Sequence, residues 1–174
     1  FYIYDAFYVK NSIRYTPFQK YIREPDRKIV LGSKYPTVSV SYKKGIPEIF
    51  NSTINYDYME FSVTQDINFR FLGTSKYRVS TGKFYNQKSI KATDYNYMSY
   101  LGPYIFANPL YAYQSLEKSY KTINRFYSGH YLHRFNGALI NKIPYFKYLR
   151  IVETAGGGFL LSEENNLVYF ELFA

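Results

Sequence analysis

The stretch MEFSVTQDINFRF, residues 59–71, constrains the fold more than any other: apart from Gln65 it alternates apolar and polar along its whole length. Met59, Phe61, Val63, Ile67, Phe69 and Phe71 share one parity, and Glu60, Ser62, Thr64, Asp66, Asn68 and Arg70 share the other. Successive side chains of a strand point to opposite faces, so this pattern predicts one strand with a greasy face and a wet face. At about 3.3 Å per residue it would run roughly 40 Å, about twice an ordinary globular strand. Tilted by about 45°, it would rise through roughly 28 Å, close to the apolar band of about 25 Å on an outer-membrane barrel, whose strands face lipid outside and a polar lumen inside. A soluble sandwich also alternates, with its apolar face turned inward, so a single ladder does not separate the two.

The ladder recurs. In TVSVSYKK, Val38, Val40 and Tyr42 alternate with Ser39, Ser41 and Lys43. Alternation and turn residues together predict about eight strands, over residues 1–9, 22–31, 37–44, 58–71, 76–85, 124–140, 148–161 and 167–174, with Pro25 weakening the second. The connections GSKYP, GTS and NKIPYFK are compact, whereas 10–21, 45–57 and 86–123 are long. Short turns on one side and long loops on the other are the expected layout of an up-and-down outer-membrane barrel. SEENN is the exception, being short where a long connection is expected. Within the longest loop, Leu110, Tyr113, Leu116, Tyr120 and Ile123 recur at helical spacing after Pro109, which suits a short helix over the barrel mouth or folded into it. An ordered loop held by its own aromatics is the alternative.

Composition sharpens the choice. The 174 residues carry 23 Tyr and 15 Phe with no Trp. Tyrosine favours strands and collects at membrane–water interfaces, although a Tyr-rich soluble β protein has the same composition. No apolar run is long enough for a transmembrane helix, which leaves a barrel open. The net charge of +9 is scattered among strand ends and loops without a dense basic cluster. Nucleic acid is therefore not an expected partner, and contact with lipid phosphates is the simpler reading of the excess. Without cysteine there are no disulfides or thiolate metal sites. The strand-like beginning and end, with no signal peptide, suggest a segment of a longer protein.

Candidates for chemistry fail on spacing. His130 and His133 fall on opposite faces of a strand and cannot share an ion. Glu60 and Asp66 share a face but lie roughly 20 Å apart, too far for a glycosidase carboxylate pair, and each is better suited to a cross-strand ion pair with Arg70 or a lysine. AGGGF, residues 155–159, lacks the lysine of a phosphate loop; inside a strand its glycines admit curvature or close approach of a neighbour. NST at 51–53 matches a glycosylation sequon that chance supplies freely. No catalytic residue, cofactor site or metal site emerges.

Two blocks carry a resemblance. LGSKYPTVSVSYKKGI, residues 31–46, and HYLHRFNGALINKIPYFKYLRIVETAGGG, residues 130–158, resemble a family of outer-membrane barrels from Bacteroidota. Full-length members of that family place a carboxypeptidase-regulatory-like β-sandwich before a C-terminal barrel related to surface-antigen barrels. Lys34, Tyr35 and Pro36 match its first turn, and His133, Phe135, Asn136, Gly137, Asn141, Lys142, Ile143 and Pro144 match its second block. Arg134 replaces a usual histidine, and Leu132 replaces an acidic residue on the wet face. The resemblance implies an outer-membrane location and transfers no catalytic residue.

The expectation is an all-β fold: 1–174 as an incomplete antiparallel up-and-down transmembrane β-barrel, about eight strands of a larger one. Val38, Val40, Met59, Phe61, Val63, Ile67, Phe69 and Phe71 would face lipid. Ser39, Ser41, Glu60, Ser62, Thr64, Asp66, Asn68 and Arg70 would line the lumen. Outer-membrane lipid and other envelope proteins are the expected partners, in a structural, transport or assembly role without cofactor. The rivals are a soluble or surface-attached β-sandwich that binds a partner, and an envelope barrel enzyme acting on lipid.

Overall fold

The computed structural model describes residues 4–100, 107–116, 119–137 and 152–174. It is all-β. The strands are β1 (Tyr8–Tyr15), β2 (Lys20–Arg23), β3 (Lys28–Gly32), β4 (Thr37–Gly45), β5 (Asn55–Asn68), β6 (Thr74–Ser89), β7 (Asn96–Tyr97), β8 (Lys121–Thr122), β9 (Phe126–Arg134), β10 (Thr154–Ser162) and β11 (Leu167–Phe173). Seven of them form one antiparallel sheet in the order β1-β4-β5-β6-β9-β10-β11, and the hairpin β2-β3 and the two-residue strand pair β7-β8 stand beside it. The sheet is open: among the described residues, β1 and β11 have no strand on their outer edges.

The long ladder is real and longer at its start than expected. Strand β5 pairs with β4 from Tyr56↔Gly45 to Thr64↔Thr37 and with β6 from Asn55↔Ser89 to Asn68↔Thr74. It ends at Asn68. Phe69, Arg70 and Phe71 belong to the turn into β6, where Arg70 adopts a left-handed φ of 56° and Gly73 a φ of 104°. Their parity therefore no longer assigns them a sheet face. The turn reverses within residues 69–73 because Phe69 N–H donates to the Gly73 carbonyl at 2.8 Å. A β-carbon on Gly73 would lie 1.9 Å from the Arg134 carbonyl oxygen, so this close backbone crossing accepts glycine alone.

Other boundaries differ from expectation for identifiable reasons. Residues 22–31 are a hairpin, broken at Pro25-Asp26, a turn signal that outweighs the apolar residues around it. Residues 8–15, expected in part as loop, form edge strand β1 against β4. Strand β9 stops at Arg134 because Asn136 and Gly137 both take positive φ, the conformation these two residues tolerate best. The expected turn NKIPYFK and the first residues of the expected 148–161 strand lie outside the described residues. Loop lengths do not segregate by side: 46–54, 90–125 and 163–166 connect strands at one end of the sheet, and 16–36, 69–73 and 135–153 at the other. No α-helix forms among the described residues of the long loop; after Asn108 accepts from Tyr111 and Ala112 N–H, the chain leaves helical geometry.

Candidate functional site

Register places the side chains of the sheet in transverse rows, and the two faces differ in kind. On one face, which we call outer, Ile13, Val40, Phe61, Thr81, Tyr127, Leu161 and Val168 form one row. Tyr15, Val38, Val63, Val79, Gly129, Phe159 and Phe170 form the next. On the opposite, inner face, Arg14, Ser39, Ser62, Ser80 and Ser128 lie level with one another, and the row runs on to the buried Leu160 and to Tyr169. Exposure runs against the usual order: Phe61 is 41% exposed, Val79 44%, Phe170 69% and Leu172 90%, while Ser62, Ser80 and Ser128 are at 5–6%. In a water-soluble sheet the apolar face is the sheltered one.

Polar groups close off the apolar rows at both ends. Toward one end, Tyr42 O–H donates to Asp57 at 2.5 Å and Lys44 lies 3.4 Å from the same carboxylate. Toward the other, Tyr77 O–H donates to Gln65 at 2.6 Å, and Ser75 lies 3.0 Å from the Tyr131 hydroxyl. Each phenol thus keeps its ring in the apolar band and its hydroxyl on a polar partner, the arrangement Tyr adopts at an interface between wet and apolar media. His133 sits at this boundary, its Nε2 2.9 Å from the Leu72 carbonyl and its Nδ1 2.7 Å from Ser75.

Ser39, Ser41, Glu60, Ser62, Thr64, Asp66 and Asn68 all fall on the inner face by register, and Val38, Val40, Met59, Phe61, Val63 and Ile67 on the outer. Ser39 bonds Ser62, and Ser80 bonds Ser128, each at 2.7 Å. The expected cross-strand ion pairs form with β6. Glu60 lies 3.6 Å from Arg78, not Arg70, and accepts from Tyr58 O–H at 3.0 Å; Asp66 meets Lys76 at 2.5 Å. Leu132 is buried on this face.

The long loop folds inward onto the polar face. Tyr113 and Leu116 are buried with Met98, Phe126 and Leu160, and Tyr113 stacks on His130 with ring centroids 4.5 Å apart. The Tyr113 hydroxyl donates to the Phe159 carbonyl at 2.8 Å, and burial pushes the phenol up, so it remains a donor at neutral pH. Glycine makes room: a β-carbon on Gly158 would lie 3.1 Å from the Tyr113 ring. Glu171 of β11 fastens the loop, accepting Gln114 N–H at 2.9 Å, Ser115 N–H at 2.9 Å and Tyr169 O–H at 2.9 Å. Nearer the loop base, Asp94 accepts from Tyr56 O–H at 2.9 Å and Lys43 at 3.2 Å. The sequence marked Tyr113 and Leu116 as apolar positions but gave no sign of the Glu171 fastening, which joins residues more than fifty positions apart.

His130 faces inward and His133 outward, so they share no ion, and no cluster of metal-ligating side chains occurs among the described residues. On the outer face, Gly129 and Gly157 leave a groove of about 920 Å³ walled by Tyr77, Tyr131, Phe159, Phe170 and Leu172. No helix among the described residues is long and apolar enough to cross a membrane.

The family described as "Family of unknown function (DUF5686) C-terminal domain" matches residues 1–174, and the chain belongs to it. No curated protein and no solved structure matches the chain.

Proposed function

With membership of a family of unknown function as the premise, we propose that the chain is a segment of a transmembrane β-barrel in the bacterial outer membrane, with a structural, transport or assembly role. One observation carries the reading: the sheet leaves a continuous apolar face exposed, while the sheltered face is serine-rich over β4, β5 and β6 and turns apolar only where the loop packs on Phe126 and Leu160. Hydrocarbon is the medium in which that arrangement is stable, because lipid-facing and lumen-facing residues alternate along every barrel strand. Val38, Val40, Met59, Phe61, Val63 and Ile67 would then meet lipid, and Ser39, Ser41, Glu60, Ser62, Thr64, Asp66 and Asn68 the lumen. Strands of nine residues such as β4, β9 and β10 suit a tilted crossing.

Sheet parity says what completes the barrel. Six antiparallel steps separate β1 from β11, so these edges run in the same direction and cannot pair antiparallel with each other. An odd number of further strands closes the ring with an even total, the number bacterial single-chain barrels use. Outer-membrane lipid is the principal partner, with other envelope proteins beside it. Resemblance to Bacteroidota barrels preceded by a carboxypeptidase-regulatory-like domain is consistent with this setting.

Catalysis has no support in the arrangement: the two histidines point to opposite faces, and Glu171 is engaged by the loop. A soluble sandwich would need a second layer over the outer rows, and those rows are exposed among the described residues. Single cysteines placed from Met59 to Ile67 in the full-length protein, labelled in membranes with aqueous and lipid-soluble reagents, test the proposal. Labelling should follow parity; uniform aqueous access would reject the barrel.

A further inference from the structure

The inner face carries more positive charge than it neutralises. Its carboxylates are engaged: Glu60 by Tyr58 and Arg78, Asp66 by Lys76, Asp94 by Lys43 and Tyr56, Glu171 by the loop. Arg14 and Lys10, on the same face of β1, have no carboxylate within ion-pair distance among the described residues. Arg78 gives Glu60 a long contact of 3.6 Å and stacks 5.0 Å from the Tyr111 ring of the inward loop, which leaves part of its guanidinium fork unused.

These cations converge on one place. Two adjoining cavities of about 550 and 540 Å³ lie against the inner face, and Arg14, Ser39 and Arg78 line both. Three strand spacings separate β1 from β6 and Arg78 lies two residues out of the row of Arg14, about 16 Å between backbones, so two arginine side chains lining the same cavities can meet on one phosphate between them. Between them the floor is hydroxyl: Ser39, Ser62 and Thr64 on β4 and β5. Across the two cavities three cations, Lys10, Arg14 and Arg78, face two carboxylates: Glu60 takes up one charge, and Asp66 is already neutralised by Lys76 at 2.5 Å, which leaves a surplus of two.

We propose that this groove binds a soluble phosphorylated sugar, its phosphate held by Arg14 and Arg78 and its hydroxyls by the serine and threonine floor. A dianionic phosphate matches the surplus of two, and arginine forks suit tetrahedral oxyanions. Hydroxyl side chains both donate to and accept from sugar hydroxyls. Charged and hydroxyl side chains of the inner face make up most of the lining, with Ile13 and Val40 of the outer row contributing at the β1 edge. The inference stands on the inner face alone and is independent of what covers the outer one.

The test is calorimetric titration of the full-length protein in detergent micelles with glucose 6-phosphate, glucose and inorganic phosphate. Saturable binding of glucose 6-phosphate is expected, at least tenfold tighter than of either glucose or phosphate. Arg14→Gln, which removes no described contact of the fold, should weaken it at least tenfold. Arg78→Lys keeps the charge but loses the fork and should also weaken it. Absence of saturable binding, equal affinity for phosphate alone, or unchanged affinity in Arg14→Gln would each overturn the proposal. Unchanged strand content by circular dichroism keeps the variants interpretable.

Discussion

Replacing Glu171 with alanine should free the inward loop without unfolding the sheet. The carboxylate accepts two backbone N–H groups, from Gln114 and Ser115, and one phenol, from Tyr169, all at 2.9 Å. Hydrogen bonds to a charged group contribute about 1.5–3 kcal/mol each. The two amides are part-buried and regain some of this from water, so we assign the loop a net loss of about 3 kcal/mol. At 1.36 kcal/mol per factor of ten, that is roughly a hundredfold in the opening equilibrium. Amide hydrogen exchange on the full-length protein in micelles reads it directly. Protection at Gln114 and Ser115 should fall about a hundredfold, while paired amides of β6 and β9 keep theirs. Glu171→Gln retains one acceptor oxygen of the same shape and should fall about tenfold. Unchanged protection in Glu171→Ala would refute the fastening. Loss spread equally over β6 and β9 would mean the residue holds the sheet and not the loop.

Two further outcomes follow from the faces and the turn. Phe61→Arg, mid-band on the outer face, should cost about 2–4 kcal/mol of folding into lipid vesicles, whereas Ser62→Arg on the inner face should cost far less; equal costs would remove the lipid assignment. Gly73→Ala sets a β-carbon 1.9 Å from the Arg134 carbonyl at a φ of 104°, so the folded fraction on heat-modifiability gels should drop sharply, and a wild-type pattern would contradict the turn geometry.

What the sequence made legible was what period-two alternation encodes. Strand β4 as far as Lys43 and the stretch of β5 from Met59 onward carry apolar/polar ladders, interrupted only at Gln65, and their faces could be read residue by residue. Alternation cannot mark where a strand stops when apolar residues continue past the last pair, and Phe69 and Phe71 continue that pattern into a turn set by Gly73. Nor did it distinguish one strand from a hairpin at 22–31, although Pro25-Asp26 supplied the turn chemistry. The strand expected over 124–140 likewise ran through Asn136-Gly137, a pair suited to positive φ, whereas β9 ends at Arg134. The inward loop was beyond reach. Its apolar positions fit a helical stripe, but tertiary contacts to Gly158, His130 and Glu171 decided its path, and local spacing carries no information about partners so distant in the chain.

The fastening and the groove should be electrically separable, and that separation tests both. Arg78, His130, Gly158 and Glu171 occupy one transverse row, which puts Glu171 three strand spacings from Arg78, about 14 Å. Glu171 is buried, so the effective dielectric is about 20 and not that of water, and two unit charges at that distance interact by at most about 1.2 kcal/mol. Glu171→Gln should therefore leave glucose 6-phosphate affinity within about eightfold of wild type, since about 1.2 kcal/mol corresponds to that factor. Arg14→Gln should weaken binding at least tenfold and leave the Gln114 and Ser115 amides protected. If instead Glu171→Gln changed affinity by far more than about eightfold, the loop would have to form a wall of the groove through more than the Tyr111 ring, and the assignment of the phosphate to Arg14 and Arg78 alone would fail.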